Sequence, residues 1–328
     1  MNTKQLLRLA LVLVAVLLLW GAAALASKRN QESTAHPTLL PRIDTSAVDS
    51  VVITGPRDSA VLVRARKGAN GWVVNGKPTD QAAVADLLKG LADTAQSPEL
   101  VAQSPASHAR LRVSADSGRR VRVVQHGRTV ADLIAGKQTL ENDGIYLRRA
   151  GAEEVYVLRS GLASALGRSA DDWRNHTIAG VVPDSVSAIQ ISRGAKSYSL
   201  KRQGSQWVFA SGAAADSAKV AELLSSYREV KASGFGSPAL QDSLRSAKAK
   251  RTARLLSRQG HPLLSLVVDS TASGIWLRIN PGTGSGASGE AYRLESWTAD
   301  QLTPADTTLR KSVAGTKGPH RQTKPHQG

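Results

Sequence analysis

The chain repeats one order of short sequence patterns in its two halves, and this internal similarity is the feature that most limits its fold. An alternating, β-branched segment begins at Val48 in the first half and at Val186 in the second. Alternation of apolar and polar residues indicates strands that bury one face. Because further elements follow in the same order, the sequence predicts two similar units, one after the other.

A hairpin follows the first strand in each half. Residues 60–66 lead through a Gly-containing turn to Trp72, and residues 198–202 lead through a second such turn to Trp207. Glycine permits tight turns, and alternating segments on both sides of a turn indicate antiparallel strands. We expect both Trp side chains to open the returning strand and to pack in a core.

An amphipathic helix follows each hairpin. Asp80 and Asp216 precede it, and an Asp at this position accepts hydrogen bonds from the free N–H groups of the first helical turn. The apolar positions have helical spacing and are Val84, Leu87, Leu88 and Leu91 in the first half and Val220, Leu223, Leu224 and Tyr227 in the second. This spacing places one apolar face on each helix.

A third pattern, Gly-Ile-aromatic-Leu-Arg, occupies residues 144–148 and 274–278, and strands containing Tyr156 and Tyr292 follow it. Other alternating segments lie at 111–113, 120–124 and 130–135 in the first half and at 251–257 and 263–268 in the second. The predicted fold class is therefore α+β. It consists of two tandem similar units, each a mostly antiparallel sheet with one main amphipathic helix.

The predicted unit boundaries follow from these patterns. The first unit spans 44–175 and the second spans 181–303. A short helix is expected at 162–166, near the end of the first unit. Residues 27–43 are polar and resemble a tether. Residues 304–328 are basic and show no apolar period, so we expect a disordered tail.

The N-terminus carries an uncharged apolar stretch at 9–26, between a short basic segment at 1–8 and the pair Lys28 and Arg29. Its length fits one transmembrane helix. The sequence Ala24-Leu25-Ala26 also fits the cleavage site of a signal peptide, and length favours the retained anchor. Both alternatives place the bulk of the chain outside the cytoplasm, and a cytoplasmic N-terminus is expected at the inner membrane.

Composition excludes several classes of site. The chain has no cysteine, which rules out disulfides and thiolate chemistry. The formal net charge is +17, but the Lys and Arg residues are not interleaved with aromatic platforms, so we expect no nucleic-acid partner. Attraction to anionic head groups or envelope polymers and simple solubility are both consistent with this charge.

The sequence predicts no metal site, because its histidines lack ligand spacing. They are His36, His108, His126, His176, His261, His320 and His326. The glycine-rich segment 284–289 lies between two predicted strands, so we interpret it as a hairpin loop and not as a dinucleotide site. Asp171 and Asp172 are interpreted as a capping or solvated pair. We expect no catalytic residues and no cofactor, hence a protein that is not an enzyme.

With these motifs combined, the chain resembles the domain of unknown function 4340 family over residues 1–303. The residues that carry the resemblance are Gly71 to Val74, Asp80 to Leu91, Gly136, Tyr146 to Arg148, Val155 to Val157, Trp173 to Asn175 and Gln206 to Val208. The segment His108 to Leu111 stands where the family commonly has Gly-Leu-x-x-Pro. The subfamily, and with it the partner, therefore stays open.

The resemblance implies a membrane-anchored envelope protein, often found with ABC-2 type export or gliding machinery, with no site residues to transfer. The expected function is therefore that of a non-catalytic accessory or scaffold protein, with a membrane-protein partner such as an ABC-2 type permease. The alternative is an exported periplasmic module that binds an anionic polymer or lipid head group.

Overall fold

The structure of the protein is a computed structural model, and it describes residues 39–65, 71–93, 98–280 and 289–311. The chain divides between Arg174 and Asn175 into two compact units, which we call the first unit and the second unit. The predicted anchor or signal peptide at 9–26 lies outside the described residues. Among the described residues, no helix has the length and apolar character needed to span a membrane.

The sheet of the first unit is antiparallel throughout, with the strand order β4-β3-β2-β1-β6-β7-β8-β9-β5. Its strands are β1 (Val48–Thr54), β2 (Ser59–Arg64), β3 (Trp72–Val74), β4 (Lys77–Pro78), β5 (Glu99–Ala102), β6 (Arg119–Gln125), β7 (Arg128–Gln138), β8 (Ile145–Arg149) and β9 (Val155–Leu158). The hairpin of β2 and β3 confirms the prediction, and Trp72 opens the returning strand with 7% of its surface exposed.

The helices of the first unit cover both faces of this sheet. They are α1 (Gln81–Ala92), α2 (His108–Leu111) and α3 (Leu162–Gly167). The Asp80 carboxylate caps α1, as predicted, by accepting hydrogen bonds from the N–H groups of Ala82 and Ala83. The helix predicted at 162–166 is confirmed as α3.

The predicted strand at 111–113 is wrong, because Leu111 ends the short helix α2. Arg112 then takes a left-handed conformation with φ of 56°, which stops both a helix and a strand. Leu111 and Val113 instead bury their side chains against Ile134 and Val155. This small cluster lies apart from the main core of the unit, which contains Trp173.

The main sheet of the second unit has the order β13-β12-β11-β16-β17-β18-β19-β15, and β10 and β14 form a separate two-stranded sheet. The strands are β10 (Thr177–Ala179), β11 (Ala188–Arg193), β12 (Lys196–Gln203), β13 (Gln206–Phe209), β14 (Val230–Lys231), β15 (Gly234–Phe235), β16 (Arg251–Leu256), β17 (Pro262–Thr271), β18 (Gly274–Ile279) and β19 (Tyr292–Leu294). All pairs are antiparallel. Trp207 in β13 is 6% exposed, so its predicted packing role is confirmed.

The helices of the second unit are α4 (Ser217–Ser226), α5 (Pro238–Arg245), α6 (Ser296–Leu302) and α7 (Asp306–Leu309). Asp216 caps α4 through the N–H groups of Ala218 and Lys219, as predicted. On the other side of the sheet, α5 buries Leu244 against Trp276.

The predicted start of the disordered tail at residue 304 is wrong for residues 304–311. Leu309 in α7 is buried in the main core of the second unit. The Tyr198 hydroxyl donates a hydrogen bond of 2.7 Å to the Pro304 carbonyl, and the buried Tyr227 hydroxyl donates to the Leu302 carbonyl. These contacts hold the segment on the unit, although it lacks an apolar period of its own. Residues 312–328 lie outside the described residues.

The coarse prediction of an α+β chain with mostly antiparallel sheets is confirmed. In each unit one helix, α1 or α4, is the longest of the described helices. The smaller helices α2 and α5 cover part of the opposite face of the sheets. What remains uncovered on those faces determines the surfaces that can contact other molecules.

Candidate functional surfaces

Each sheet has an inner face on the main core and an outer face that is only partly covered. In the first unit the small cluster under α2 covers the outer face near β7 and β9. In the second unit α5 covers the outer face near β18. The open part of the outer face lies on β2, β1 and β6 in the first unit. In the second unit it lies on β12, β11 and β16.

The open outer face of the first unit carries five valines around the half-buried Ser50, and we call these valines the valine face. It consists of Val52, Val61, Val63, Val73 and Val124. The pairing of Val52 with Val61 and of Val63 with Val73 places these side chains next to each other. Val61 is 36% exposed and Val63 39% exposed, and the other three are half-buried. Adjacent exposed apolar side chains on a rigid sheet are typical of a protein-binding surface.

Charged side chains border the valine face. Arg122 is exposed and lies opposite Val52 on the neighbouring strand. On the next strand, the Asp132 carboxylate accepts hydrogen bonds of 2.9 Å and 2.6 Å from Arg120. The hydrogen bond from Arg120 lowers the pKa of Asp132, so this pair is ionised at neutral pH. The valine face thus has an apolar centre with a charged border, as in many protein interfaces.

The same strand positions are polar in the second unit. Ser199 pairs with Gln190, and Gln190 pairs with Arg254 across the outer face. Lys201 pairs with Ala188 in the next row. Because these side chains are hydrophilic, the open face of the second unit offers hydrogen bonds and charge, where the first unit offers apolar contact.

A groove with a volume of about 1070 Å³ lies at one end of this polar face, and we call it the basic groove. Its lining includes the cations Lys201, Arg202 and Arg258 and one carboxylate, Asp184. Within the described parts of the chain, none of the three cations makes an ion pair or a side-chain hydrogen bond. The groove therefore carries a local excess of positive charge.

The matching end of the first unit differs because its arginine is used internally. Arg64 pairs with Trp72 across the strands, as Arg202 pairs with Trp207. The Arg64 guanidinium donates hydrogen bonds to the carbonyls of Val48 (2.9 Å) and Thr45 (2.8 Å) and lies 4.9 Å from the centre of the Trp72 ring. This arginine stabilises the fold, whereas the Arg202 side chain makes no hydrogen bond to the described residues.

Two histidines of the described residues bind backbone carbonyls of their own unit. The His108 Nε2 lies 2.8 Å from the Glu153 carbonyl, and the His176 Nδ1 lies 2.8 Å from the Ala232 carbonyl. No group of three metal-ligating side chains occurs in the described part of the chain. His36, His320 and His326 lie outside it.

The acidic pair Asp171 and Asp172 begins a short 3₁₀ helix, Asp171–Trp173. The Asp172 carboxylate accepts hydrogen bonds from the N–H (2.8 Å) and the hydroxyl (2.7 Å) of Ser169, and Asp171 lies 3.7 Å from Arg174. Of the glycine-rich segment 284–289, residues 284–288 lie outside the described residues. It connects β18 to β19, which pair antiparallel, so no helix follows it directly.

Sequence reasoning missed both open faces. In β2 the outer residues Val61 and Val63 alternate with the inner residues Ala60 and Leu62, so residues 60–63 are all apolar. An uninterrupted apolar strand is a signal of two contacted faces. Lys201 and Arg202 were visible as neighbours, but their lack of partners depends on tertiary structure.

Comparison with known proteins gives one family. A family model with the description "Domain of unknown function (DUF4340)" matches residues 72–255, which is more than half of the chain. The match begins in the hairpin of the first unit and ends in β16 of the second. No curated protein and no solved structure matches the chain.

Proposed function

The chain belongs to the DUF4340 family, and on this basis we propose that it is a non-catalytic accessory or scaffold protein of the cell envelope. One hydrophobic helix at residues 9–26 would anchor it in the inner membrane, with both units on the extracytoplasmic side. Its partner would be a membrane protein such as an ABC-2 type permease. The apolar length of residues 9–26 supports the anchor.

The proposal includes the duplication of one unit. The strand order and the antiparallel pairing agree between the two main sheets over eight strands, from β3 or β13 to β5 or β15. The capping aspartates Asp80 and Asp216 begin helices at the same point of this order. Two copies of one unit would give an accessory protein two separate surfaces on the same framework.

The valine face is the observation that carries the proposed function. Exposing two adjacent valines to water forfeits the hydrophobic free energy of their burial, about 25 cal/mol for each Å² that a partner would cover. Arg122 at the border favours a partner with carboxylates around an apolar patch. We therefore propose that an extracytoplasmic segment of the membrane partner, apolar at its centre and acidic at its rim, binds here.

Co-purification from detergent-solubilised membranes tests this proposal. The test variant, Val61→Ser with Val63→Lys, gives the first unit the residues that the second unit has in the same rows, Ser199 and Lys201. We expect the wild-type chain to retain a multi-span membrane protein and the test variant to lose at least about tenfold of it, because a polar centre leaves the partner's apolar patch unpaired.

A matched control makes the same kind of change elsewhere in the first unit. Leu140→Ser with Val101→Lys also removes two exposed apolar side chains and adds one cation. We expect this control to retain the partner. Purification of the wild-type chain alone, or equal retention by the test variant, would contradict the proposal.

A further inference from the structure

The basic groove contains positive charge that the fold does not use. Two other arginines of the second unit are paired with one carboxylate: Arg193 and Arg251 lie 3.1 Å and 2.6 Å from Asp300. By contrast, Lys201, Arg202 and Arg258 lack carboxylate partners among the described residues. Clustered like charges repel each other and destabilise the folded state, so the groove gains free energy when an anion enters it.

The strand pairing explains how the cations come together. Lys201 and Arg202 lie near the end of β12, just before Gln203, and Arg258 follows the end of β16 after Ser257. Both strands pair with β11, so their ends lie on either side of it. Arg254, on β16 and on the same outer face as Lys201, extends the positive surface beyond the groove.

The size of the groove indicates the class of ligand. Pockets of roughly 300–1,000 Å³ hold a drug-sized molecule, and the volume of about 1070 Å³ here lies at the upper end of that range. One phosphate or one head group would occupy a small part of it. Such a small ligand could not contact all three cations at once, because they are distributed over the ends of two strands.

We propose that the basic groove binds an extended polyanionic chain, whose successive negative groups contact Lys201, Arg202 and Arg258. Guanidinium groups suit this role because each can donate two parallel hydrogen bonds to a phosphate or carboxylate. The groove also contains one carboxylate, Asp184. Because it repels negative groups, it limits the orientations that the polyanion can take. The inference does not depend on the accessory role or on the valine face.

Titration of the full-length chain in detergent with fluorescently labelled inorganic polyphosphate tests the inference. We expect a rise in anisotropy that weakens as salt is added, because exposed ion pairs are screened. In the groove variant, Lys201→Gln with Arg258→Gln, we expect the affinity to fall about tenfold, because the variant loses two screened ion pairs with the ligand. Both side chains are exposed, so the unfolding midpoint of the variant should equal that of the wild type.

The matched control is Lys248→Gln with Arg293→Gln, which removes the same charge from exposed sites of the second unit outside the groove. We expect its affinity to stay within about twofold of the wild type, since only long-range attraction changes. Absence of binding, or an equal loss in the groove variant and the control, would overturn the proposal.

Two competitors distinguish a polymer site from a site for a single group. Orthophosphate and glycerol 3-phosphate carry one phosphate each, the second as in a lipid head group. We expect neither to displace polyphosphate at an equal concentration of phosphate groups, because linked groups bind with high effective concentration. Displacement by either one would replace the polymer site with a single-anion site. Retention of the membrane partner by the groove variant would separate this result from a failure of the accessory role.

Discussion

The main sheets of the first and second units share the order of eight strands, but their open outer faces differ in polarity. Their inner strand positions hold the same kinds of residue: Leu62 and Leu200 both have 0% exposure, as do Val51 and Ile189. Their outer positions differ, since Val63 in the first unit corresponds by pairing to Lys201 in the second. Inner positions must fill a close-packed core, whereas outer positions are free of that requirement. A framework can therefore keep its core while its exposed face changes from apolar to basic.

The difference extends to one arginine in each unit, which is buried in the first unit and half-buried in the second. Arg148 and Arg278 occupy the same position, one residue after Leu147 and Leu277 in the strand motif. The Arg278 guanidinium donates hydrogen bonds of 3.0 Å and 2.7 Å to Asp269, whose side chain is 4% exposed. Arg148 instead donates to backbone carbonyls. One arginine neutralises a buried charge, and the other binds uncharged groups.

The largest expected effect tests this arginine contrast. Arg278→Ala should lower the free energy of unfolding of the second unit by about 3–5 kcal/mol, because it leaves the Asp269 carboxylate buried without a counter-charge. Arg148→Ala should cost the first unit about 1–3 kcal/mol, since it leaves the carbonyls of Val113 and Ala152 without their donor. Urea unfolding followed by circular dichroism measures both.

A second substitution separates charge from packing in this experiment. Asp269→Asn in the Arg278→Ala background removes the unpaired charge and should restore more than half of the lost stability. Equal losses for the two single variants, or no recovery in the double variant, would remove the distinction between the two arginines.

Alkaline pH should destabilise the second unit specifically. Burial raises the pKa of Tyr227 and of Tyr198 above the ordinary value of 10.0, so the folded state keeps these phenols protonated while the unfolded state ionises. The stability they contribute is present below pH 10 and is lost as the pH rises above it, by about 1.4 kcal/mol per pH unit for each tyrosine. Urea unfolding at a series of pH values measures this slope.

The first unit provides the comparison for the alkaline effect. The first unit has Leu91 at the helix position that Tyr227 occupies in the second unit. It has Ala60 at the strand position that Tyr198 occupies in the second unit. Neither of these residues ionises. Tyr227→Phe should lose the hydrogen bond to Leu302 and reduce the pH slope. An unchanged slope in this variant would exclude Tyr227 as its source.

The smallest expected effect concerns a feature that the units share. Asp80→Ala and Asp216→Ala should each lower the free energy of unfolding by about 1 kcal/mol, because each removes the acceptor for two N–H groups of a first helical turn. Thermal unfolding measures both losses. Asp→Asn at either position should retain most of the stability, and losses that differ by more than about 1 kcal/mol would show that the two helices are not equivalent.

The sequence predicted the elements whose determinants are local. The caps at Asp80 and Asp216 precede apolar residues at helical spacing, and each hairpin turn is marked by a glycine before Trp72 or Trp207. Period and turn chemistry act over a few residues, so they can be interpreted without knowledge of the fold.

The missed features depend on contacts between distant parts of the chain. Nothing in the sequence near Leu111 indicates that its side chain packs against Ile134 and Val155 on the outer face of the sheet. The Tyr227 hydroxyl binds the Leu302 carbonyl from 75 positions away, and the Tyr198 hydroxyl binds the Pro304 carbonyl from 106 positions away. The order of this segment therefore could not be deduced from its own composition. The valine face and the basic groove likewise require knowledge of which strand faces stay uncovered.

The contacts of Tyr198 and Tyr227 with the segment after β19 have a consequence for the order of folding during synthesis. The first unit has all of its core residues once Trp173 has emerged from the ribosome tunnel. The core of the second unit is incomplete until Leu302 and Leu309 follow. A nascent chain paused before these residues would hold a finished first unit next to a second one with exposed apolar surface, which is the state most open to chaperones and proteases.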